Sequence, residues 1–171
     1  MEKIAIIGCC GAGKSTLASN LGLKLNLPVI HLDRYYWQTG WVESTQNEWI
    51  AKQKLLVKGD RWIVDGNYLA TMDIRLLVAD TVILLDFPRW LCLWRIIKRY
   101  SIYKDRVRPD MADDCVERLN WDFWLYVWNF AKIQRQSILS KLELYRDSQQ
   151  IIILSNPQQV SNFLFELNRL V

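Results

Sequence analysis

The sequence predicts a three-layer α/β/α sandwich built around a parallel sheet. Short apolar runs in the sequence do not alternate with polar residues, which is typical of strands covered on both faces. Helical stretches lie between these runs, so strands and helices alternate along the chain. Right-handed crossovers then place helices on both faces of the sheet. The 171 residues fit one domain, which we expect to span residues 1–171.

Each element of this fold has its own signal in the sequence. The predicted strands are the runs rich in isoleucine and valine, at 3–7, 28–31 with Leu32, 61–64, 81–85 and 150–154. The predicted helices are 14–25, 46–58, 89–100, about 112–146 and 157–170. Ser44 or Thr45 is a plausible N-cap for the second helix. The charged stretch 101–114 contains Pro109 and predicts a mobile loop.

Composition narrows the function classes. The net charge of +4 suits a protein that handles anionic small molecules, and no helix-turn-helix signature or basic stripe indicates DNA binding. The four cysteines form no CxxC pair and only one histidine accompanies them, which argues against zinc. Reduced thiols and the absence of a long apolar run favour a cytoplasmic protein without a membrane partner. Composition does not predict the oligomeric state.

Residues 8–15, GCCGAGKS, match the phosphate-binding pattern GxxxxGK[ST]. Glycines let the backbone curl so that successive N–H groups point at phosphate oxygens, and the following helix adds its positive end. Lys14 is expected to reach the β- and γ-phosphates, the Ser15 hydroxyl to bind Mg²⁺, and Thr16 to reach the α-phosphate. ATP and Mg²⁺ are therefore the predicted cofactors. The predicted cofactor-binding residues of this segment are Gly8, Gly11, Ala12, Gly13, Lys14, Ser15 and Thr16.

Three further motifs accompany the loop: HLD at 31–33 with Trp37 and Trp41 after it, VDGNY at 64–68, and LDFPRW at 85–90. With them the chain resembles the adenylate-kinase-like group of P-loop kinases. Within that group it is most similar to the bacterial topology modulation proteins, a family of predicted nucleotide kinases. The resemblance runs from residue 3 to about residue 120.

The resemblance implies five parallel strands in the order 2-3-1-4-5. It also implies an acceptor-binding segment after the second strand, at about 33–60, and a short lid over the phosphates, at about 100–118. The family name refers to a proposed effect on DNA supercoiling. The alternative function is therefore an ATP-binding regulatory protein linked to DNA topology, with slow ATP hydrolysis.

Two aspartates compete for the magnesium site. Asp86 follows the more regular apolar strand, whereas Asp65 ends the strand expected beside the first one. Asp65-Gly66 also matches the Asp-Gly pair of adenylate-kinase-like proteins, so Asp65 is the preferred ligand together with Ser15. On this interpretation Asp86 caps a turn before Pro88.

Candidate acceptor residues follow the second strand. Asp33 closes that strand and either orients or deprotonates a hydroxyl acceptor, or lies beside an acceptor phosphate that arginines hold. Arg34 is consistent with both. Trp37 and Trp41 are expected to stack on a base or line the acceptor pocket. The predicted substrate residues are Asp33, Arg34, Trp37, Trp41, Asp65, Gly66 and Tyr68.

Arg95 and Arg99 lie four residues apart on the helix after the fourth strand, and they resemble the arginine pair that leads into the lid of adenylate kinases. Arg106 and Arg108 follow in the predicted loop. Guanidinium groups suit bidentate phosphate contacts and stabilise charge in phosphoryl transfer. Arg118 lies on the predicted helix that follows the loop at 101–114. The predicted catalytic residues are Lys14, Asp33, Arg95, Arg99, Arg106 and Arg108.

One further cofactor-binding residue is predicted outside these motifs. Asn156 follows the fifth strand, where related kinases hold the adenine ring. His31 lies inside a strand and is interpreted as a core residue. Five tryptophans at helical spacing are also interpreted as core: Trp90, Trp94, Trp121, Trp124 and Trp128. The motifs together predict an ATP-dependent kinase whose acceptor is a nucleotide, nucleoside or similar small molecule.

Overall fold

A computed structural model of the chain describes residues 1–117 and 120–170. Its strands, in chain order, are β1 (Lys3–Gly8), β2 (Val29–His31), β3 (Trp37–Gln38), β4 (Val42–Glu43), β5 (Trp62–Asp65), β6 (Thr81–Leu85) and β7 (Gln150–Leu154). The strands β3 and β4 form a separate two-stranded antiparallel hairpin. The other five form one parallel sheet in the order β2-β5-β1-β6-β7. Numbered within that sheet alone, the order is 2-3-1-4-5, which confirms the predicted fold class.

Helices cover both faces of the sheet. They are α1 (Lys14–Leu25), α2 (Leu32–Tyr36), α3 (Gln46–Leu56), α4 (Met72–Leu76), α5 (Arg89–Tyr103), α6 (Trp121–Ile133), α7 (Arg135–Leu144) and α8 (Pro157–Leu170). A 3₁₀ turn, Leu69–Thr71, precedes α4. No helix of the described residues is long and apolar enough to cross a membrane.

The predicted helix at 112–146 is wrong at its start, over residues 112–117. Residues 104–117 instead fold back on themselves: Val107 pairs with Val116 in an antiparallel bridge, and the Glu117 N–H donates to the Arg106 carbonyl at 3.0 Å. We call residues 104–117 the lid segment. A new helix begins only at Trp121, where the Asn120 side chain accepts from the Asp122 N–H. It ends at Ile133, and Gln134 separates it from α7.

The core is formed by the central strands and the inner helix faces. Residues 4–7 of β1 are completely buried, as are Ile63, Val64, Val82 and Ile83 of the two flanking strands. Of the five tryptophans on α5 and α6, Trp124 packs partly buried against this core, as expected. The other four are exposed, Trp90 and Trp121 by 66% and 73%, so the core interpretation is wrong for Trp90, Trp94, Trp121 and Trp128. The buried indoles belong to Trp49 and Trp62.

The N-cap of α3 is Thr45 rather than Ser44. The Thr45 hydroxyl accepts from the Glu48 N–H, and the Glu48 carboxylate accepts from the Thr45 N–H at 3.0 Å, which makes a complete capping box. Ser44 has another role, because its hydroxyl donates to the Tyr36 carbonyl at 2.7 Å.

We expect Thr45→Ala to lower the free energy of unfolding by about 1 kcal/mol, because the first turn of α3 loses its side-chain acceptor. Urea denaturation followed by circular dichroism measures the change. Thr39→Ala, at an exposed position of the hairpin turn, is the matched control and should change stability by less than about 0.5 kcal/mol. Equal effects of the two variants would contradict a capping role for Thr45.

Candidate nucleotide and acceptor site

The phosphate loop lies between β1 and α1, at the carboxyl edge of the sheet. Gly8, Gly11 and Gly13 have φ values of 140°, 79° and 95°, a backbone conformation that side chains disfavour. A Cβ at Gly11 would also collide with the Cys92 carbonyl on α5. Because α1 begins at Lys14, its free N–H groups point into the loop, where they form a ready site for anions.

The loop borders a cleft of about 670 Å³. Lys14 lies in its wall, and its Nζ donates to the Cys9 carbonyl at 3.1 Å. Gly8 is buried at the end of β1 behind the wall. The predicted site residues that line the cleft are Gly11, Ala12, Gly13, Lys14, Ser15, Thr16, Asp33, Arg95, Arg99 and Arg108.

A hydrogen-bonded chain of three side chains stands beside the loop. The Ser15 hydroxyl donates to Asp65 Oδ2 at 2.8 Å, and His31 Nδ1 lies 2.6 Å from Asp65 Oδ1. Asp65 is only 4% exposed. The hydrogen bond to Asp65 raises the pKa of His31 above its ordinary value, although burial opposes the shift. His31 lines the cleft, so its interpretation as a core histidine is wrong.

Asp86 has a different environment. Arg135 of α7 donates from Nε and from its terminal nitrogen to the two carboxylate oxygens at 2.7–3.0 Å. The hydrogen bond and the charge of Asp86 in turn raise the pKa of Arg135. Asp86 therefore connects the end of β6 to α7, and a bidentate partner already occupies its carboxylate.

Asp33 is also part of the cleft wall. The Tyr68 hydroxyl donates to Asp33 Oδ1 at 2.7 Å. Burial, followed by the charge of Asp33, raises the pKa of Tyr68, so the hydroxyl stays protonated and remains a donor. One carboxylate oxygen of Asp33 is thereby held in place.

The backbone that carries Tyr68 rests on a buried arginine. Arg75 is completely buried and donates to the carbonyls of Gly66, at 3.0 Å, and of Asn67. Burial lowers the pKa of Arg75 to about 10. Gly66 has a φ of 147°, and a Cβ there would meet Leu32 at 2.8 Å, so this glycine lets β5 end close to α2. Arg75 had no recognisable signal in the sequence.

Three of the predicted arginines line the cleft. Arg95 donates to the Ala12 carbonyl at 2.8 Å and so contacts the loop directly. Arg99 and Arg108 share one carboxylate, that of Glu117: Arg99 Nε lies 2.9 Å from Oε1 and Arg108 Nε 2.7 Å from Oε2. The Glu117 side chain is 3% exposed, and sequence reasoning missed its role.

Arg106 does not join this group. Arg106 is exposed and contributes its backbone carbonyl to the lid segment, and it is not part of the cleft wall. Arg118 lies outside the described residues.

Trp37 and Trp41 contact the lid segment rather than the cleft. Their rings pack edge to face at 5.2 Å, and the Trp41 indole donates to the Val116 carbonyl at 3.0 Å. Both pack against a small separate core of lid residues, Met111, Ala112 and Cys115. Arg34 is exposed. Among the predicted acceptor residues, Asp33 alone is part of the cleft wall.

The helix α8 supplies a largely apolar part of the cleft wall. Asn156 itself lies just before this helix, where its side chain accepts from the Gln159 N–H at 2.9 Å. The wall consists of Pro157, Val160, Ser161 and Leu164. Sequence reasoning reached the start of α8 and missed these residues, although they are in its first two turns.

Comparison with solved structures identifies the fold. The shikimate kinase of Acinetobacter baumannii, solved with shikimate, is 16% identical with a TM-score of 0.61, over 99% of this chain and 92% of that one. A gluconokinase of Sinorhizobium meliloti 1021 is 15% identical with a TM-score of 0.55, over 99% and 93%. The deoxyadenosine kinase of M. mycoides is 17% identical with a TM-score of 0.53, over 98% and 99%.

The chain has the fold of the P-loop kinases. No family model and no curated protein matches its sequence. The assignment to this fold therefore rests on three-dimensional similarity. The chemistry of the cleft follows from the residues that line it.

Asp65→Asn and Asp86→Asn form a matched pair that tests the magnesium assignment. We expect Asp65→Asn to raise the Mg²⁺ concentration needed for half-maximal ATP turnover at least tenfold, because a neutral amide replaces the carboxylate beside Ser15. Asp86→Asn should leave that concentration within about twofold of wild type, since its carboxylate binds Arg135. The reverse ranking would assign the metal to Asp86.

The His31–Asp65 pair predicts a pH dependence of stability in metal-free buffer. Because the folded state raises the pKa of His31, the pair stabilises the protein fully below the unfolded value near 6.5. That stabilisation is lost as the pH rises through the folded-state pKa. The stability of wild type relative to His31→Asn, measured by urea denaturation from pH 5 to 9, should therefore decrease with pH. A difference that does not vary with pH would contradict the pair.

Proposed function

We propose that the protein is an ATP- and Mg²⁺-dependent kinase that transfers the γ-phosphoryl group to a hydroxyl of a small molecule. The observation that carries this proposal is the position of Asp33. Its carboxylate lies in the wall of the same cleft as the phosphate loop and is oriented by Tyr68. A kinase of this kind needs both a phosphate cradle and a group that meets the acceptor.

The loop and its neighbours suit ATP and Mg²⁺. Lys14 and the N-terminus of α1 would bind the phosphates, and Thr16 lies in the cleft wall beside them. Ser15 and Asp65 present two oxygen ligands 2.8 Å apart, and Mg²⁺ prefers oxygen. When bound, the ion would neutralise charge on the phosphates. The apolar first turns of α8 would then contact the base.

Asp33 favours a hydroxyl acceptor over a phosphate acceptor. A carboxylate repels a phosphate anion at close range, whereas it can accept the proton of an attacking hydroxyl. Tyr68 occupies one of its oxygens and leaves the other available. Glu117 partly balances the charges of Arg99 and Arg108, so the positive charge that remains would serve the transferred phosphoryl group rather than a further phosphate on the acceptor.

Arg95, Arg99 and Arg108 would act on the transferred group. Phosphoryl transfer depends on positioning and on neutralising charge at the equatorial oxygens, which guanidinium groups do well. Glu117 holds two of the three before any ligand binds. The site would therefore need little reorganisation when it closes.

The sequence resemblance to the topology modulation family remains a prediction and is compatible with this activity. A regulator linked to DNA topology would need a surface that binds DNA. The cleft instead offers a carboxylate and a cavity of small-molecule size. On this proposal the protein works on a soluble metabolite in the cytoplasm.

Turnover of ATP against a panel of acceptors tests the proposal. The panel contains nucleosides, sugars and polyols, cyclic hydroxy acids and nucleoside monophosphates. We expect one hydroxyl acceptor to raise turnover at least tenfold above hydrolysis. Asp33→Asn should then lower kcat with that acceptor by about 10²–10⁴-fold and leave basal hydrolysis, while Lys14→Ala should abolish both.

Asp60→Asn is the control, because its side chain is 99% exposed and precedes β5 at the amino edge of the sheet, whereas the loop follows β1 at the carboxyl edge. Turnover that no acceptor raises would contradict the kinase proposal. A nucleoside monophosphate as the best acceptor, or an unchanged kcat in Asp33→Asn, would contradict the role given to Asp33. DNA that binds with salt-dependent affinity and responds to ATP would favour the regulatory alternative.

A further inference from the structure

The outer surfaces of α5 and α6 expose four tryptophans. Trp90 and Trp94 of α5 are 66% and 56% exposed, and Trp121 and Trp128 of α6 are 73% and 47% exposed. Indole side chains are usually largely buried in monomeric proteins. Four solvent-exposed tryptophans on two neighbouring helices therefore require a physical explanation.

These residues form two helical stripes. Trp90, Trp94 and Ile97 follow the spacing i, i+4, i+7, which places them on one face of α5. Trp121, Leu125 and Trp128 repeat the same spacing on α6. We call these six residues the tryptophan face.

The two stripes belong to one surface. The helices α5 and α6 pack against each other, and the Arg89 guanidinium of α5 lies 4.0 Å from the ring centroid of Trp128 on α6. Lys98 similarly lies over Trp94 at 5.5 Å. Such contacts hold the indole rings in place, and the apolar stems of the arginine and lysine side chains then lie along the same surface.

With its two aliphatic members, this surface reaches or passes the size of the largest apolar patch on a typical monomer. At 150–250 Å² for each aromatic side chain, the open fractions leave roughly 350–600 Å² of indole surface. Ile97 and Leu125, each more than 40% exposed, add to it. The largest apolar patch on a typical monomer is about 300–600 Å² in total. A stable interface buries about 800 Å² per partner, and aromatic residues are enriched at its centre.

We propose that the tryptophan face is the interface of a homodimer. A face made of two adjacent helices is self-complementary under a two-fold axis, because the α5–α6 pair of one copy can pack on the same pair of the other. The result is a four-helix arrangement whose centre is filled by indoles. The open apolar area supplies most of what one side of such an interface needs.

The charges on these helices favour a protein copy over a lipid surface. Sites for anionic lipids carry clusters of four to eight lysines and arginines. The outward cations on α5 and α6 are Arg89, Lys98 and Lys132, and the first two lie on tryptophan rings. Exposed Asp122 provides an acidic group at the edge of the same face.

Dimerisation would also restrain α5, the helix that lines the nucleotide site. The same helix α5 carries Arg95 and Arg99 in the cleft wall, and its Cys92 carbonyl lies where a side chain at Gly11 would be. An interface on the outer surface of α5 would therefore fix the helix that supports the phosphate loop. The dimer itself does not depend on the proposed activity.

Sedimentation equilibrium over protein concentrations from 0.5 to 100 μM tests the dimer. We expect wild-type protein to approach twice the 20.3 kDa mass of the chain. Trp94→Glu and Trp121→Glu, one variant on each helix, should each weaken dimerisation at least tenfold, because each buries two carboxylates at a two-fold interface. Leu144→Glu, at an 81% exposed position on α7, is the matched control and should dimerise like wild type.

Circular dichroism and thermal denaturation check that each variant folds, and the two helices supply independent variants. A monomeric wild type throughout the range would overturn the proposal. A dimer that both glutamate variants leave intact would also overturn it, because the interface would lie elsewhere. Monomeric protein that sediments with phosphatidylserine vesicles, and loses this binding in Trp94→Glu, would assign the face to a lipid surface instead.

Discussion

The carboxylate of Asp65 connects parts of the chain that are far apart in sequence. It accepts a hydrogen bond from Ser15 at the start of α1 and pairs with His31 at the end of β2. This contact requires β5 to lie between β1 and β2, which is the observed strand order. The phosphate loop, the proposed metal ligands and the proposed acceptor side all depend on that arrangement, because the carboxyl ends of these strands meet at one edge of the sheet.

The acceptor side has its own support. Tyr68 follows β5 and holds Asp33, while Arg75 binds the backbone just before Tyr68 from inside the protein. Burying an arginine costs free energy unless its N–H groups donate hydrogen bonds. Arg75 donates to oxygen atoms of Gln53, Gly66 and Asn67. The lid side is organised similarly, with one buried carboxylate, Glu117, holding Arg99 and Arg108. Charged groups buried within the scaffold therefore position the charged groups that face the cleft.

Much of this could be predicted from the sequence, because the relevant signals are local. The strands are short apolar runs, and α1 and α8 begin and end where predicted. The GxxxxGK[ST] pattern placed the loop correctly because its chemistry depends on consecutive backbone groups. Asp33, Arg95 and Arg99, which line the cleft, were predicted from their positions after a strand or on the helix that leads to the lid, and Arg108 was predicted from its place in the loop beyond that helix.

What the sequence did not reveal depends on contacts between distant residues. The pairing of Val107 with Val116 replaces the helix that the local pattern favoured at residues 112–117. His31 has the neighbours of a strand residue, and only the register of β2 beside β5 places it on Asp65. The tryptophans have helical spacing, which shows that they share a face but not whether that face is inward. Arg75 and Glu117 are ordinary charged residues in the sequence, and only burial gives them their roles.

The most direct test of the account is a crystal structure with a non-hydrolysable ATP analogue and Mn²⁺ in place of Mg²⁺, using the anomalous signal to locate the metal. We expect the metal beside Ser15 on the Asp65 side, the γ-phosphate analogue between Lys14 and Asp33, and the base against the first turns of α8. A metal beside Asp86, or a γ-phosphate remote from Asp33, would contradict the site described here.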